Sequence, residues 1–302
     1  MLISSKSQID HAGGYVNNWS TKDYMRFVDQ MKGRYPKSKV KICRDHCGPG
    51  FNGIHDLEDC YSTIRADIEC GFDLIHIDFC HYKGPREEMW EQSRKAIELC
   101  LALNPDISLE IGTDDNVGAS LSREYLSLLK KDLDYYLSFC KPDYYVVQTG
   151  SLTKEFMQVG MYNREFVEAA AALLHESGLH LKEHNADYLS AAEIRKRVGH
   201  VDAMNLAPQL GVVQTSLVIN RCLVYGIDVT PYLDVCYRGG KWKKWLYKHG
   251  PEDKLLCALI SGHYHFTSDE YKRLLDSLGK VEDIKESIIN EVSKVVDNYA
   301  IN

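Results

Sequence analysis

Short apolar runs recur along this chain at a nearly constant interval, with helix-like stretches between them. The runs are Leu2 to Ser5, Val40 to Arg44, Leu74 to Phe79, Ser108 to Gly112, Tyr144 to Gln148, Leu179 to Glu183 and Val201 to Leu206. The first six begin 34 to 38 residues apart and the last follows after 22. Helical stretches start near Thr21, Leu57, Pro85, Ser122, Asn163 and Ala191. Parallel strands need a long crossover, usually a helix, so this interval reads as repeated βα units. Two folds meet that description, the (β/α)8 barrel and the open doubly wound sheet. Polar groups stand at the C-terminal end of almost every run: Gln8, Asp45 with His46, Asp78, Glu110, Gln148 and His184. An open sheet concentrates its chemistry at one crevice and usually carries a GxGxxG loop, which is missing here. The expectation is an α/β chain with a (β/α)8 TIM-type barrel over residues 1–220.

Beyond Leu206 the alternation stops. Residues 207–225 place Leu210, Val213, Leu217, Val218 and Leu223 along an apolar helix, and TPYLDVCYRGGKWKKWLYKHG then breaks the rhythm. Ile284, Ile288, Val292 and Val295 fall at helical spacing near the end. Residues 221–302 therefore read as a helical C-terminal extension packed on the barrel or on a partner subunit. The net charge of −7 and the absence of a basic domain argue against nucleic acid. No apolar run approaches the roughly 20 residues that span a bilayer, and the N-terminus lacks a signal core. Ten cysteines without a CxxC pair read as reduced packing residues, Cys43 and Cys47 included. A cytoplasmic protein with no membrane contact is expected.

The chemistry-bearing residues gather at strand ends. Asp45 and His46 follow the second run, ahead of a turn with two glycines and Pro49. In the third, His76 and Asp78 share a face with Leu74 by the period of two. Asp78 lies nearer the mouth and is the better acid or base, whereas His76, a layer deeper, suits a core hydrogen bond. Glu110 sits in an otherwise core-like strand, shares parity with Gly112 and Asp114, and needs a metal or a lysine to offset its desolvation. Lys182 and His184 share a face in the sixth strand; Lys182 could pair with a carboxylate, bind an anionic oxygen or form a Schiff base. His46, Glu110 and His184 together form a nitrogen and oxygen set suited to zinc or another first-row divalent ion with open positions.

The ordered stretches SSKSQIDHAGGY (4–15), RDHCGPG (44–50), GFDLIHIDFC (71–80), EIGTDDN (110–116), VVQTG (146–150), LKEHNADY (181–188) and MNLAPQLG (204–211) resemble the tagatose-bisphosphate aldolase non-catalytic-subunit family. They resemble more distantly the zinc-dependent class II ketose-bisphosphate aldolases. The resemblance implies a (β/α)8 barrel in which Asp45 is the catalytic acid and His46, Glu110 and His184 hold the metal. It also makes Leu2 to Ser5 correspond to the family's second strand, so the usual first βα unit is missing and oligomerisation is expected. Gln148 and Thr149 stand where those aldolases carry a histidine before a glycine. Asn185-Ala186-Asp187-Tyr188 replaces their glycine-rich phosphate loop, and suits a sugar hydroxyl better than a phosphate dianion.

These readings combine into a metal-dependent enzyme, with Zn2+ or Mn2+, acting on a ketose or ketose phosphate through an enediolate. Asp45, Asp78 and Lys182 are the catalytic candidates. His46, Glu110 and His184 are the metal candidates, and Gln8, Asp114, Gln148, Asn185 and Asp187 the substrate-binding ones. Aldol cleavage is the first reading and ketose epimerisation the second. A non-catalytic barrel subunit stabilising a partner aldolase is the third, and a homo-oligomer or that aldolase subunit is the expected partner.

Overall fold

Strands and helices alternate through the first two thirds of the chain at the interval the sequence predicts. The protein is described here from a computed structural model covering residues 1–112, 123–247 and 253–300. The order is β1 (Leu2–Ser5), α1 (Thr21–Arg34), β2 (Ile42–Cys47), α2 (Leu57–Glu69), β3 (Leu74–Ile77), α3 (Arg86–Leu103), β4 (Ser108–Gly112), α4 (Arg123–Tyr136), β5 (Tyr144–Val147), β6 (Thr153–Lys154), β7 (Met157–Gln158), α5 (Arg164–Glu176), β8 (His180–Glu183), α6 (Ala191–Arg195) and β9 (Ala203–Met204). Helices follow: α7 (Pro208–Val224), α8 (Thr230–Gly239), α9 (Lys254–Ser261), α10 (Asp269–Leu278) and α11 (Ile284–Tyr299), with 3-10 turns at Lys241–Lys244 and Gly262–His265. Among the described residues the main sheet has seven strands in the order β1-β2-β3-β4-β5-β8-β9. Its first four pairings are parallel. This is the TIM-type α/β fold, with a helical C-terminus.

The chain divides into two compact units. The first holds the described residues of 1–149 and 165–182, the second 150–164 and 183–300, so Glu183, the last residue of β8, belongs to the second. Local chemistry starts the helices where the sequence supplies caps. Ser20 and Asp23 exchange side-chain and backbone hydrogen bonds at the head of α1, and Ser190 and Glu193 do the same for α6. In the second unit α7 is packed by α9, α10 and α11. Val218, Ile219, Cys222, Tyr232, Cys236, Tyr271, Leu274 and Leu278 form its core. A Cβ at Gly262 would lie 2.5 Å from the Tyr232 hydroxyl, so only glycine lets that backbone approach.

Several boundaries differ from expectation. β2 runs over Ile42–Cys47 rather than Val40 to Arg44, because the ladder with β1 opens at the Leu2–Ile42 pair and the strand continues past a bulge. β3 stops at Ile77, and Asp78 leaves the ladder with its N–H on the Cys47 carbonyl. The stretch read as breaking the helical rhythm contains α8, started with Pro231 in its first turn and closed by Gly240 at φ 66°. The β6–β7 hairpin, with Glu155 at φ 48° in its turn, was not expected. The helix expected near Ser122 has Arg123 as its first described residue.

Period-two pleating sends successive β2 residues to opposite faces. Arg44 points to the helical layer, where Nε and Nη2 donate to the two Asp67 oxygens of α2 at 2.6 and 2.7 Å. Its Nη1 donates to the Ser4 and Ile9 carbonyls at 3.2 and 2.8 Å. Both side chains are fully buried. Burial opposes the charge on Arg44, but Asp67 outweighs it and holds the guanidinium firmly protonated. Breaking one half of a buried pair strands the other charge. Asp67→Ala is therefore expected to lower the unfolding free energy by about 3–5 kcal/mol, measured by urea titration. A loss under about 1 kcal/mol, the range of an exposed pair, would contradict the buried-pair assignment.

Candidate functional site

The inner face of the first unit carries a row of ionisable groups at the strands' C-terminal ends. Register aligns Ser5 with Asp45, His76 with Glu110, and Glu110 with Tyr144. Regular pleating would send His46 away from Asp45. Instead β2 bulges between Arg44 and Cys47, with His46 at φ 48°, a left-handed conformation. Two consecutive side chains, Asp45 and His46, therefore reach the same end of the sheet. The next turn depends on Gly48, where a Cβ would fall 1.6 Å from the Asp78 carbonyl oxygen.

His76 lies at the centre and is fully buried. Its Nδ1 is 3.4 Å from Asp45 Oδ1 and 3.5 Å from Glu110 Oε1. Its Nε2 is 3.3 Å from the Gly112 carbonyl oxygen, which can only accept, so Nε2 carries the proton. The backbone N–H of His46 donates to Nδ1 at 3.3 Å, so Nδ1 is the unprotonated, lone-pair-bearing nitrogen. An imidazole lone pair and two carboxylates thus converge, with ligand atoms within 4.8 Å of one another. That donor set fits a divalent cation of borderline hardness. On the far side Lys182 Nζ donates to Glu110 Oε2 at 2.5 Å, and both side chains are buried.

His46 is aimed elsewhere. Its Nδ1 is 2.8 Å from Asp78 Oδ2, and its Nε2 is 3.5 Å from Asp45 Oδ2. Burial pushes the Asp78 carboxyl up, but the hydrogen bond and charge of His46, with His76 beside it, outweigh this and hold it at about 2. Asp78 is thus ionised at neutral pH and orients His46. The His46 ring stacks on Phe51 at 4.7 Å, and Phe51 on His81 at 4.5 Å. Beside Asp78 opens a cavity of about 330 Å³ lined by Tyr82, Arg86, Trp90, Asp132 and Tyr145 among others. Asp132 accepts there from Arg86, Trp90 and Tyr145 at 2.6 to 2.9 Å.

The remaining candidates are placed as follows. Gln8 Oε1 accepts the Ser5 N–H at 2.8 Å and closes the turn after β1. Gln148 is buried one residue past β5. Asp114 lies outside the described residues. In the second unit His184 Nε2 is 2.8 Å from Asn205 Nδ2, a residue the sequence reading passed over. Asn185 is at φ 57° and its carbonyl accepts from Thr153 and Gln158. Asp187 Oδ1 accepts the N–H groups of Ala207 and Gln209 at the head of α7. A second acidic group, Asp10, His11 and Asp59, already contains a cation: Lys6 Nζ is 2.8 Å from Asp59 Oδ2 and 3.6 Å from Asp10 Oδ2. It is a closed network that ties the turn after β1 to α2.

No protein-family model matches this sequence, and no curated protein sequence does. Solved structures with the same fold include a probable tagatose 6 phosphate kinase from Sinorhizobium meliloti 1021. It is 17% identical, the match covers 99% of this chain and 81% of that one, and the TM-score is 0.70. The fructuronate-tagaturonate epimerase UxaE from Cohnella laeviribosi is 12% identical over 99% of this chain and 75% of its own, with a TM-score of 0.62. A fructose-bisphosphate aldolase from Campylobacter jejuni is 12% identical over 85% and 75%, with a TM-score of 0.51. At these identities the likeness establishes the fold. No helix among the described residues is long and apolar enough to cross a membrane.

Asp187 generates a pH prediction. Burial pushes its carboxyl up to about 6 against the opposing pull of the Gln209 and Ala207 N–H groups. The folded state therefore binds this proton more tightly than the unfolded state, and its contribution, complete below about pH 4, is lost as pH rises through about 6. Asp187→Asn keeps the Oδ1 acceptor and removes the ionisation. Relative to the wild type, it is expected to gain on the order of 2–3 kcal/mol between pH 4 and pH 7.5, read from urea midpoints. Parallel pH profiles for the two proteins would contradict the buried-acid assignment.

Proposed function

We propose that this protein is a divalent-metal-dependent enzyme that breaks or re-forms a carbon–carbon bond beside the carbonyl of a ketose or ketose phosphate. The observation that carries the proposal is the convergence of Asp45, Glu110 and the His76 Nδ1 lone pair on one point of the sheet's inner face. Those three residues would hold the ion. It would supply Lewis-acid polarisation of the ketose carbonyl and stabilise negative charge developing on the adjacent oxygens.

The chain's own residues supply the proton chemistry. Asp78, ionised and hydrogen-bonded to His46 Nδ1, fixes the tautomer that leaves His46 Nε2 as the proton acceptor. Nε2 lies beside Asp45 Oδ2, so a proton taken from a substrate hydroxyl sits between an imidazole and a carboxylate. The same pair returns it to the enediolate carbon after cleavage, or to the alkoxide oxygen formed when the carbon–carbon bond re-forms. Lys182 is engaged with Glu110 and acts as a charge, not as a Schiff-base nucleophile. Phe51, stacked on His46, limits how far the ring can turn.

Epimerisation of a ketose is the second reading, since cleavage followed by re-addition to the opposite face uses the same groups. The fold likeness to the UxaE epimerase, over 99% of this chain, supports it. Purified protein with Mn2+, Zn2+ or Co2+ is expected to convert at least one member of a panel of ketoses and ketose phosphates, with products resolved by chromatography. Shorter fragments mark cleavage and an isomeric ketose marks epimerisation. His76→Gln is expected to lower kcat/KM by about 10²-fold or more, the scale of a lost Lewis-acid contact. No turnover with any metal and substrate would sink both readings and leave the non-catalytic subunit.

A further inference from the structure

The cluster around His76 sets one ammonium against a buried carboxylate that is also a candidate metal ligand. Lys182 reaches from β8 past β5 to β4 and takes Glu110 Oε2 at 2.5 Å. The other oxygen, Oε1, faces His76 Nδ1 at 3.5 Å. Lys182 takes one oxygen of the buried carboxylate, and Glu110 is left with the other, beside the neutral His76 ring, for a metal. Formal charge makes the consequence plain. Asp45, Glu110 and Lys182 together carry −1, whereas Asp45 and Glu110 without the ammonium carry −2. A dication neutralises the second set and leaves the first positive.

We propose that Lys182 is a built-in competitor for the metal at Glu110: its ammonium neutralises the buried carboxylate in the metal-free protein and holds the site's metal affinity down. The inference rests on the metal-site reading given above. A carboxylate that is buried while ionised is costly without a compensating partner, and a tethered ammonium is in place before any metal arrives. The cost is repulsion between that ammonium and a dication held a few ångströms away, in a region too buried for water to screen it. Lys182 is therefore a positioning residue that acts on the metal through Glu110.

The experiment compares wild type, Lys182→Met and the double variant Glu110→Gln/Lys182→Met, using the full chain. Mn2+ affinity is measured by calorimetric titration and by the free-Mn2+ resonance signal. Thermal unfolding is followed with and without Mn2+. Lys182→Met is expected to bind Mn2+ at least tenfold more tightly than wild type. Its metal-free melting temperature should fall, and its rise on adding Mn2+ should exceed that of wild type. A purely structural role predicts the opposite sign for affinity, because a disturbed site binds metal less well. Equal or weaker Mn2+ binding by Lys182→Met overturns the proposal while leaving the metal site intact. If Lys182→Met folds only when produced with Mn2+, that dependence supports the competition; failure to fold even then overturns it. The double variant should fold without metal and lose Mn2+ binding, and tight binding by it would overturn the role given to Glu110. Absence of Mn2+, Zn2+ and Co2+ binding by wild type and Lys182→Met alike would remove the metal-site reading, and this proposal with it.

Discussion

A parallel sheet packed on both faces admits ionisable side chains only as mutually compensated sets, and β2 carries one set on each face. Arg44 turns outward into a bidentate pair with Asp67, and Asp45, the next residue, turns inward to His76. The outer pair does more than neutralise itself. Its remaining guanidinium donor holds the carbonyls of Ser4 and Ile9, so one buried charge fixes β1, β2 and α2 together. Asp45 is therefore placed by the position of its neighbour, on a strand that has little freedom to slide. The inner set could not keep its distances if β2 moved by one residue, because a one-residue slip would exchange the two faces.

The bulge after Arg44 decides which histidine does what. In a regular strand Asp45 and His46 would point to opposite faces, and His46 would enter the helical layer. The extra residue and the left-handed φ of His46 return its ring to the strand's end, where Asp78 receives it. His46 thereby becomes the hydrogen-bonded partner of a carboxylate, and His76, one strand over, presents its lone pair to Asp45 and Glu110. A residue-by-residue reading of strand parity assigns His76 a deeper structural place. It cannot foresee that a bulge would shift its neighbour.

The fold was legible because a 34- to 38-residue interval leaves room for one crossover helix and little else, and because caps such as Ser20 and Ser190 mark helix starts chemically. Boundaries were less legible where strand pairing, a long-range property, overrides local composition: exposed Val40 is apolar yet outside the ladder, whereas polar Arg44, Asp45 and His46 are inside it. β6 and β7 are two residues each, too short to leave a period. In the site, the need of Glu110 for a lysine or a metal could be read from its burial in a core-like strand, and Lys182 meets it. The role of Asp187 could not, since its partners at Ala207 and Gln209 lie twenty residues on and are backbone groups, which have no sequence signature.

The inner cluster also bears on whether such a barrel is inert. A subunit that only supports a partner gains from apolar packing, and a buried ionic set replaced by well-packed hydrophobic residues is often as stable or more so. The outer Arg44–Asp67 pair can be accounted for by what it fixes. Asp45, His76, Glu110 and Lys182 meet one another, with Gly112 and His46 beside them, at the strand ends, the edge of the fold where TIM-type barrels place their chemistry. Maintaining two carboxylates, an imidazole lone pair and an ammonium there costs desolvation that packing alone would avoid. That cost is what the proposed metal site would account for, because two carboxylates and an imidazole nitrogen are donors that suit a divalent cation.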